Sequence, residues 1–151
     1  MMRMRKRAGL ASVAIALLVL TATAPDAHHS VTMFDTEAPV TITGTVVRAE
    51  LINPHSFLYV EQQTAAGTVV WAVEGPSASR LNRERFDRDL VAIGVSVEAC
   101  GYVLKSDATS GYTREQVLVA EVLVMPDGGA RLWSPYGNTL CRERNGYDVS
   151  G

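Results

Sequence analysis

From Val40 onward, apolar and polar residues alternate in short runs separated by turn-forming residues, the period of half-buried β-strands. In the first run Val40, Ile42, Gly44 and Val46 share one phase, whereas Val47, Ala49 and Leu51 take the other. A two-residue period that changes phase within one long strand predicts a β-bulge or strong coiling near Val46. Asn53-Pro54 ends this run, a second strand covers Ser56 to Gln62, and Ala65-Ala66-Gly67 reads as a hairpin connection into a third strand over Thr68 to Glu74. Gly75-Pro76 stops that strand, and Ser77 or Ser79 can cap a short helix through Arg80 to Phe86, with Leu81, Phe86 and Leu90 as its thin apolar face. Val91 to Tyr102 then alternates Ile93, Val95, Val97 and Ala99 against Gly94, Ser96 and Glu98. Val117 to Met125 forms the last core strand, and Pro126-Asp127-Gly128-Gly129 turns the chain into Ala130 to Trp133.

Three strands, a short helix and two strands, with a long coiled first strand, predict a mainly β chain. The order suits a five-stranded OB-like barrel whose helix lies between strands three and four; an open β-sandwich with a helical crossover competes. Either arrangement draws its core from Ile42, Val46, Leu58, Val60, Val70, Val73, Val95, Val97, Val119 and Val122. Beyond Ser134 the chain turns polar and Gly-containing, so residues 134–151 read as a flexible tail, tethered where Cys141 is bonded.

The start of the chain has a different pattern. Arg3, Arg5, Lys6 and Arg7 precede an almost uninterrupted apolar run from Ala8 to Leu20, followed by the small-residue stretch Thr21 to Ala27. This is the layout of a secretory signal peptide, and the apolar run is shorter than the roughly 20 residues a spanning helix needs. A retained anchor is the competing reading. Cleavage after Ala27 is favoured over cleavage after Ala24, which would leave Pro25 next to the cut. Residues 1–27 are then the leader and 28–133 the single domain, an expected periplasmic or secreted protein without stable membrane insertion.

Separating the leader changes the charge. The full 151-residue chain carries 14 basic and 16 acidic side chains, whereas removing Arg3, Arg5, Lys6, Arg7 and Asp26 leaves 10 and 15, a net charge of -5. Such an acidic domain lacks the basic footprint of a nucleic-acid binder. Arg80, Arg83, Arg85 and Arg88 interleave with Glu84, Asp87 and Asp89, which reads as a solvated mixed-charge helix rather than an anion site. Export also permits a disulfide between Cys100 and Cys141, closing a loop of about 40 residues and stabilising the fold by about 4 kcal/mol in the chain-entropy model. The alternative is a buried free thiol at Cys100 and a mobile Cys141.

Candidate chemistry is confined to a few groups. The three histidines fall in two motifs, His28-His29-Ser30 at the expected new N-terminus and Asn53-Pro54-His55-Ser56 between the first two strands. Ala27-His28-His29-Ser30 with Phe34-Asp35, followed by Gly44-Thr45-Val46 and Asn53-Pro54-His55, resembles a family of small exported bacterial proteins of unknown function. The similarity runs from about Ala27 to Met125. It implies an exported single-domain protein and supplies no activity.

Imidazole is the commonest neutral metal ligand and suits copper or zinc. A free His28 amine and ring could chelate one ion, with His29 and His55 as further ligands and Asp35 or Asn53 orienting them. Against this, Asn-Pro is a turn signal in its own right, and His55 could simply pin its loop. With no nucleophile elbow, phosphate loop or zinc-protease motif, the expected role is non-enzymatic: a metal-binding or accessory protein of the cell envelope. The alternative is a recognition module in which Phe57, Tyr59 and Trp71 on an outer barrel face bind a sugar, a peptide or an envelope protein.

Overall fold

The computed structural model describes residues 33–105, 116–134 and 139–149. The expected leader and cleavage site, together with His28 and His29, lie outside them. Strands β1 (Val40–Glu50), β2 (Phe57–Thr64) and β3 (Gly67–Glu74) precede a one-and-a-half-turn helix, α1 (Ala78–Arg83), and a 3₁₀ turn at Arg88–Val91. β4 (Ser96–Val103), β5 (Val117–Val124), the short β6 (Ala130–Leu132) and helix α2 (Leu140–Asn145) follow. The sheet order is β3-β2-β1-β4-β5-β6, and a parallel pairing of Ala72–Glu74 in β3 with Val117–Val119 in β5 closes the first five strands into a mixed barrel. This is the OB-like arrangement, with α1 between β3 and β4 as the element order predicts.

The phase change in β1 is a bulge. Val46 pairs with Val60 and Arg48 with Tyr59, so Val47 is the extra residue. Ile42 and Val46 point into the barrel before it, while Ala49 and Leu51 pack against the same interior after it. Gly44 lets β1 bend close over β2, since a methyl there would overlap the Glu61 carbonyl.

β5 carries a second register shift, which the alternation did not disclose. Cys100 pairs with Val122 and Gly101 with Ala120, leaving Glu121 as the extra residue. Leu118, Ala120 and Leu123 therefore face the barrel interior together with Leu58, Val60, Val73, Val97 and Trp133. The expected core residues Val119 and Val122 are buried in two separate outer clusters instead. Val119 joins Phe34, Phe57, Tyr59, Ala72, Tyr102 and Val117 under the segment that bridges Phe34 to Leu104. Val122 joins the Cys100–Cys141 disulfide, flanked by Tyr147 and Val149.

One expected core position and one residue on the apolar side of the expected fourth strand are exposed. Val70 is 46% exposed because β3 meets β5 only from Ala72 onward, so the outer half of the β2–β3 hairpin projects beyond the barrel. Ile93 is 72% exposed because β4 begins at Ser96, later than the alternation implies, and Ile93 sits in the turn before it.

Residues 139–149 are ordered against the barrel, a packing that their polar composition does not announce. The disulfide joins α2 to β4 with a Cα separation of 5.8 Å. Buried Glu121 accepts hydrogen bonds from the Tyr102 hydroxyl (2.5 Å), the Cys141 amide (3.2 Å) and Arg142 Nε (3.3 Å). Tyr147 donates to Glu98 at 2.6 Å, and Val149 bridges to Ala130.

Candidate functional site

His55 stands on the loop joining β1 to β2. That loop is fastened on both sides: Ser56 donates its amide to the Pro76 carbonyl (3.1 Å), Gly75 donates to the Ser56 carbonyl (2.9 Å), and Ala78 donates to the Ile52 carbonyl (3.0 Å). Asn53, expected to orient a metal ligand, instead accepts the Ser79 amide at 3.0 Å and docks the loop on α1. Asp35, the other expected orienting residue, closes a local turn by accepting the Glu37 amide at 3.2 Å. The Asn53-Pro54 peptide bond is cis.

The group that holds His55 is Glu74. His55 Nδ1 lies 3.1 Å from Glu74 Oε1, with the imidazole side chain 26% exposed and the carboxylate fully buried. Glu74 ends β3 where it pairs with Phe57 of β2 on one side and Val119 of β5 on the other, so neither edge of the strand is free there. A buried carboxylate without a partner is costly, and His55 supplies a polar one at the barrel's edge. Nδ1 facing the carboxylate leaves Nε2 as the nitrogen positioned for coordination, the arrangement found behind metal-binding histidines. Among the described residues no three His, Cys, Asp or Glu side chains form a metal-binding group, so His55 would need ligands from His28 and His29.

Beside His55 opens a cleft of about 210 Å³, lined by Pro54, His55, Gly75, Pro76, Ser77, Arg80 and Ser134. Trp133 lies behind it against Gly75, where any side chain would overlap the indole nitrogen. Ser77 caps α1 by accepting the Arg80 amide at 3.1 Å. Arg80 Nε donates to Glu84 at 2.7 Å, and Arg131 reaches the other oxygen of Glu84 at 2.6 Å. The Arg80 hydrogen bond, reinforced by Arg131 against the opposing effect of burial, holds the Glu84 carboxyl below its ordinary value.

The three aromatic residues of the expected recognition face do not form an open platform. Phe57 and Tyr59 point outward from the barrel but are buried beneath Phe34, with Met33 and Leu104 beside them. Arg48 stacks over the Tyr59 ring at 3.6 Å, and the Tyr59 hydroxyl donates to Glu50 at 3.0 Å. Trp71 leans the other way, packing against the barrel interior with its indole donating to Gln62 at 3.0 Å.

Glu74 is not among the site residues expected from the sequence, because a glutamate on a strand is most often a solubilising surface residue. Its sequence signal was position: a carboxylate directly before Gly75-Pro76, at the end of an apolar strand, where the chain must leave the sheet. Arg80 escaped for the opposite reason, hidden among the charges of its helix.

Comparison with known proteins adds a family and no activity. The model of a family of unknown function (DUF6152) matches residues 14–114, more than half of the chain. The match ends before β5 and so leaves Glu121, Trp133 and Cys141 outside it. No curated protein matches the chain.

Proposed function

The chain belongs to this family of unknown function, which passes on no activity, and we propose from the geometry that it is a non-enzymatic copper- or zinc-binding protein of the cell envelope. His55 is one ligand and the N-terminal pair His28 and His29 supplies the others. The observation that carries this reading is the 3.1 Å contact from His55 Nδ1 to the buried Glu74 carboxylate, which fixes the ring as metal-ligating histidines are fixed. Chain length supports it. Phe34 packs in the same cluster as Phe57, two residues after His55, and the six residue steps from His28 to Phe34 span up to roughly 20 Å. Phe34 and Phe57, six residues after His28 and two after His55, thus share one side of the barrel. Imidazole nitrogens with a terminal amine suit Cu(II) in tetragonal geometry, and Zn(II) accepts the same donors. The basic, apolar and small-residue leader and the disulfide support export, since a disulfide persists in an oxidising compartment.

The test combines N-terminal sequencing of the exported protein with titration of the chelator-stripped protein by Cu(II) and Zn(II). The expected result is an N-terminus at His28 and one ion bound per chain, with His55→Ala weakening binding by about tenfold or more. A different N-terminus with no stoichiometric metal would overturn the reading.

A further inference from the structure

The two outermost strands of the sheet, β3 and β6, end it in different ways. β6 is three residues long, carries Arg131 in its middle and is bridged at Ala130 by Val149. Short length, charge and a covering segment are the devices that keep an edge from pairing with another chain. The first half of β3 has none of them. It pairs with β5 only at Ala72, Val73 and Glu74, and among the described residues no strand lies beside Gly67 to Trp71 on that side. Thr68-Val69-Val70-Trp71 contains no charge and no proline, consists of strand formers, and keeps its register with β2 without a bulge. Thr68 and Val70 are exposed, the latter by 46%.

The direction of the backbone groups follows from the closure of the barrel. The Ala72 amide donates to the Gln116 carbonyl at 2.8 Å, so even-numbered residues of β3 turn N–H and C=O toward the β5 side and odd-numbered ones toward β2. Before Ala72 this leaves Thr68 and Val70, with two donors and two acceptors, facing outward with no described strand to receive them. The free stretch from Gly67 to Trp71 is symmetric about Val69. An identical stretch laid antiparallel, with the two-fold axis at Val69, sets Thr68 opposite the partner's Val70 and Val70 opposite the partner's Thr68. Both are hydrogen-bonded pairs that exchange two bonds each, so every outward donor and acceptor of the two copies is used. The overlap stops where pairing with β5 begins. It also brings no charged side chain of this stretch into apposition, the condition that two copies of an acidic domain must meet to pair.

We propose that the free half of β3 is a self-association edge, at which a second copy of this chain adds its own Gly67–Trp71 in antiparallel register to make one continuous sheet. Pairing of this isologous kind closes as a two-fold dimer and uses up the free edge of both copies. Five residues a side make a small contact of the transient class, so the dimer forms reversibly at high protein concentration. The edge lies at the opposite end of β3 from Glu74, and none of His28, His29, His55 and Glu74 takes part.

The test is analytical ultracentrifugation of the exported protein from about 10 μM to 1 mM, with chelator present so that no bridging ion contributes. The sedimentation coefficient should rise from the monomer value toward that of a dimer, and the Thr68 and Val70 amides should exchange with deuterium more slowly at the higher concentration. Val70→Pro removes an edge donor that the monomer does not use, and should weaken dimerisation by about tenfold or more. Val70→Lys places a guarding charge at the same half-exposed position and should do likewise, which keeps the test decisive should the proline variant not fold. Val69→Cys reports the register: on the axis its thiol faces the partner's in a non-hydrogen-bonded pair, close enough to bond. Ile93→Cys, in the turn before β4 and 72% exposed, is the control for random encounter. Diamide should cross-link Val69→Cys several times faster. A monomer throughout the range, undiminished dimerisation in either folded Val70 variant, or equal cross-linking at positions 69 and 93 would overturn the proposal. Protected Thr68 and Val70 amides in a protein that sediments as a monomer would overturn the second copy as the occupant. Val70→Lys leaves His55 and Glu74 intact, so its metal titration should match that of the unaltered protein, and the two readings fail separately.

Discussion

Two buried carboxylates lie near each other on the barrel wall, Glu74 where β3 pairs with Val119 and Glu121 two residues further along β5, and they are used in opposite ways. Glu121, the extra residue of the β5 bulge, receives Tyr102, the Cys141 amide and Arg142, and so fastens the C-terminal helix beside the disulfide. Glu74, at the end of β3, bonds a partly exposed imidazole at the edge of a cleft. The first arrangement consumes donors to close a surface; the second spends a buried charge on orienting one group toward solvent. Burial alone therefore does not distinguish a structural glutamate from a functional one. The nature of the partner does: fixed backbone and phenol donors in one case, a titratable ligand in the other.

That contrast can be broken by substitution, beginning with the side that carries the C-terminal helix. Replacing Cys100 and Cys141 with Ser should lower stability by about 4 kcal/mol in the chain-entropy model, read as a fall in the urea midpoint, with metal binding retained under native conditions. Glu121→Ala should cost about 3 kcal/mol in the same assay, because it strands a buried phenol and an amide and breaks an ion pair that is partly screened at Arg142. Glu74→Gln should behave in the reverse sense. It should change stability by only about 1 kcal/mol yet weaken Cu(II) or Zn(II) binding by about 10- to 100-fold in a competition titration. Equal losses of stability in the two glutamate variants would erase the distinction between the two carboxylates.

Smaller effects should separate the two regions by pH. Burial, then the hydrogen bond to Glu98, pushes the Tyr147 hydroxyl up from 10.0 to about 12. Burial and the bond to Glu121 also raise Tyr102. Groups held protonated in the fold stabilise it fully below pH 10, and this contribution is lost as the pH rises through their folded values. Urea midpoints should therefore fall above pH 10, and Tyr147→Phe should flatten the decline. Glu84 has the opposite sign: its lowered value gives a contribution present above about pH 4.5 and lost as the pH falls, so Glu84→Gln should mute acid destabilisation near the cleft.

Much of the architecture was legible because the barrel obeys local rules. The phase change at Val46, the hairpin at Ala65-Ala66-Gly67 and the Ser77 cap each follow from a few adjacent residues, and the strand order follows from them. What alternation could not convey was the second bulge. β5 is apolar at nearly every position, so nothing in its pattern marks Glu121 as the point where inward and outward faces exchange. Val70 was misplaced because its exposure depends on where β5 stops pairing with β3, a long-range fact. The site shows the same division. His55 stood out as one of three histidines, whereas Glu74, Arg80 and Trp133 acquire meaning only when β3, α1 and the chain after β6 converge.

The bulge at Val47 bears on which genetic lesions the protein can absorb. Removing this one small, exposed residue would appear mild, since it takes away 39%-exposed apolar surface and no hydrogen-bonded side chain. The deletion would also merge the two phases of β1 into one, leaving Ala49 and Leu51 on the interior face and the pairing of Arg48 with Tyr59 in register. What it removes is the local bend and extra twist that the bulge gives the strand, and with them the direction from which the Asn53-Pro54-His55 loop starts. A single-codon loss there should therefore disturb the loop more than a substitution at the same position does, while sparing the core.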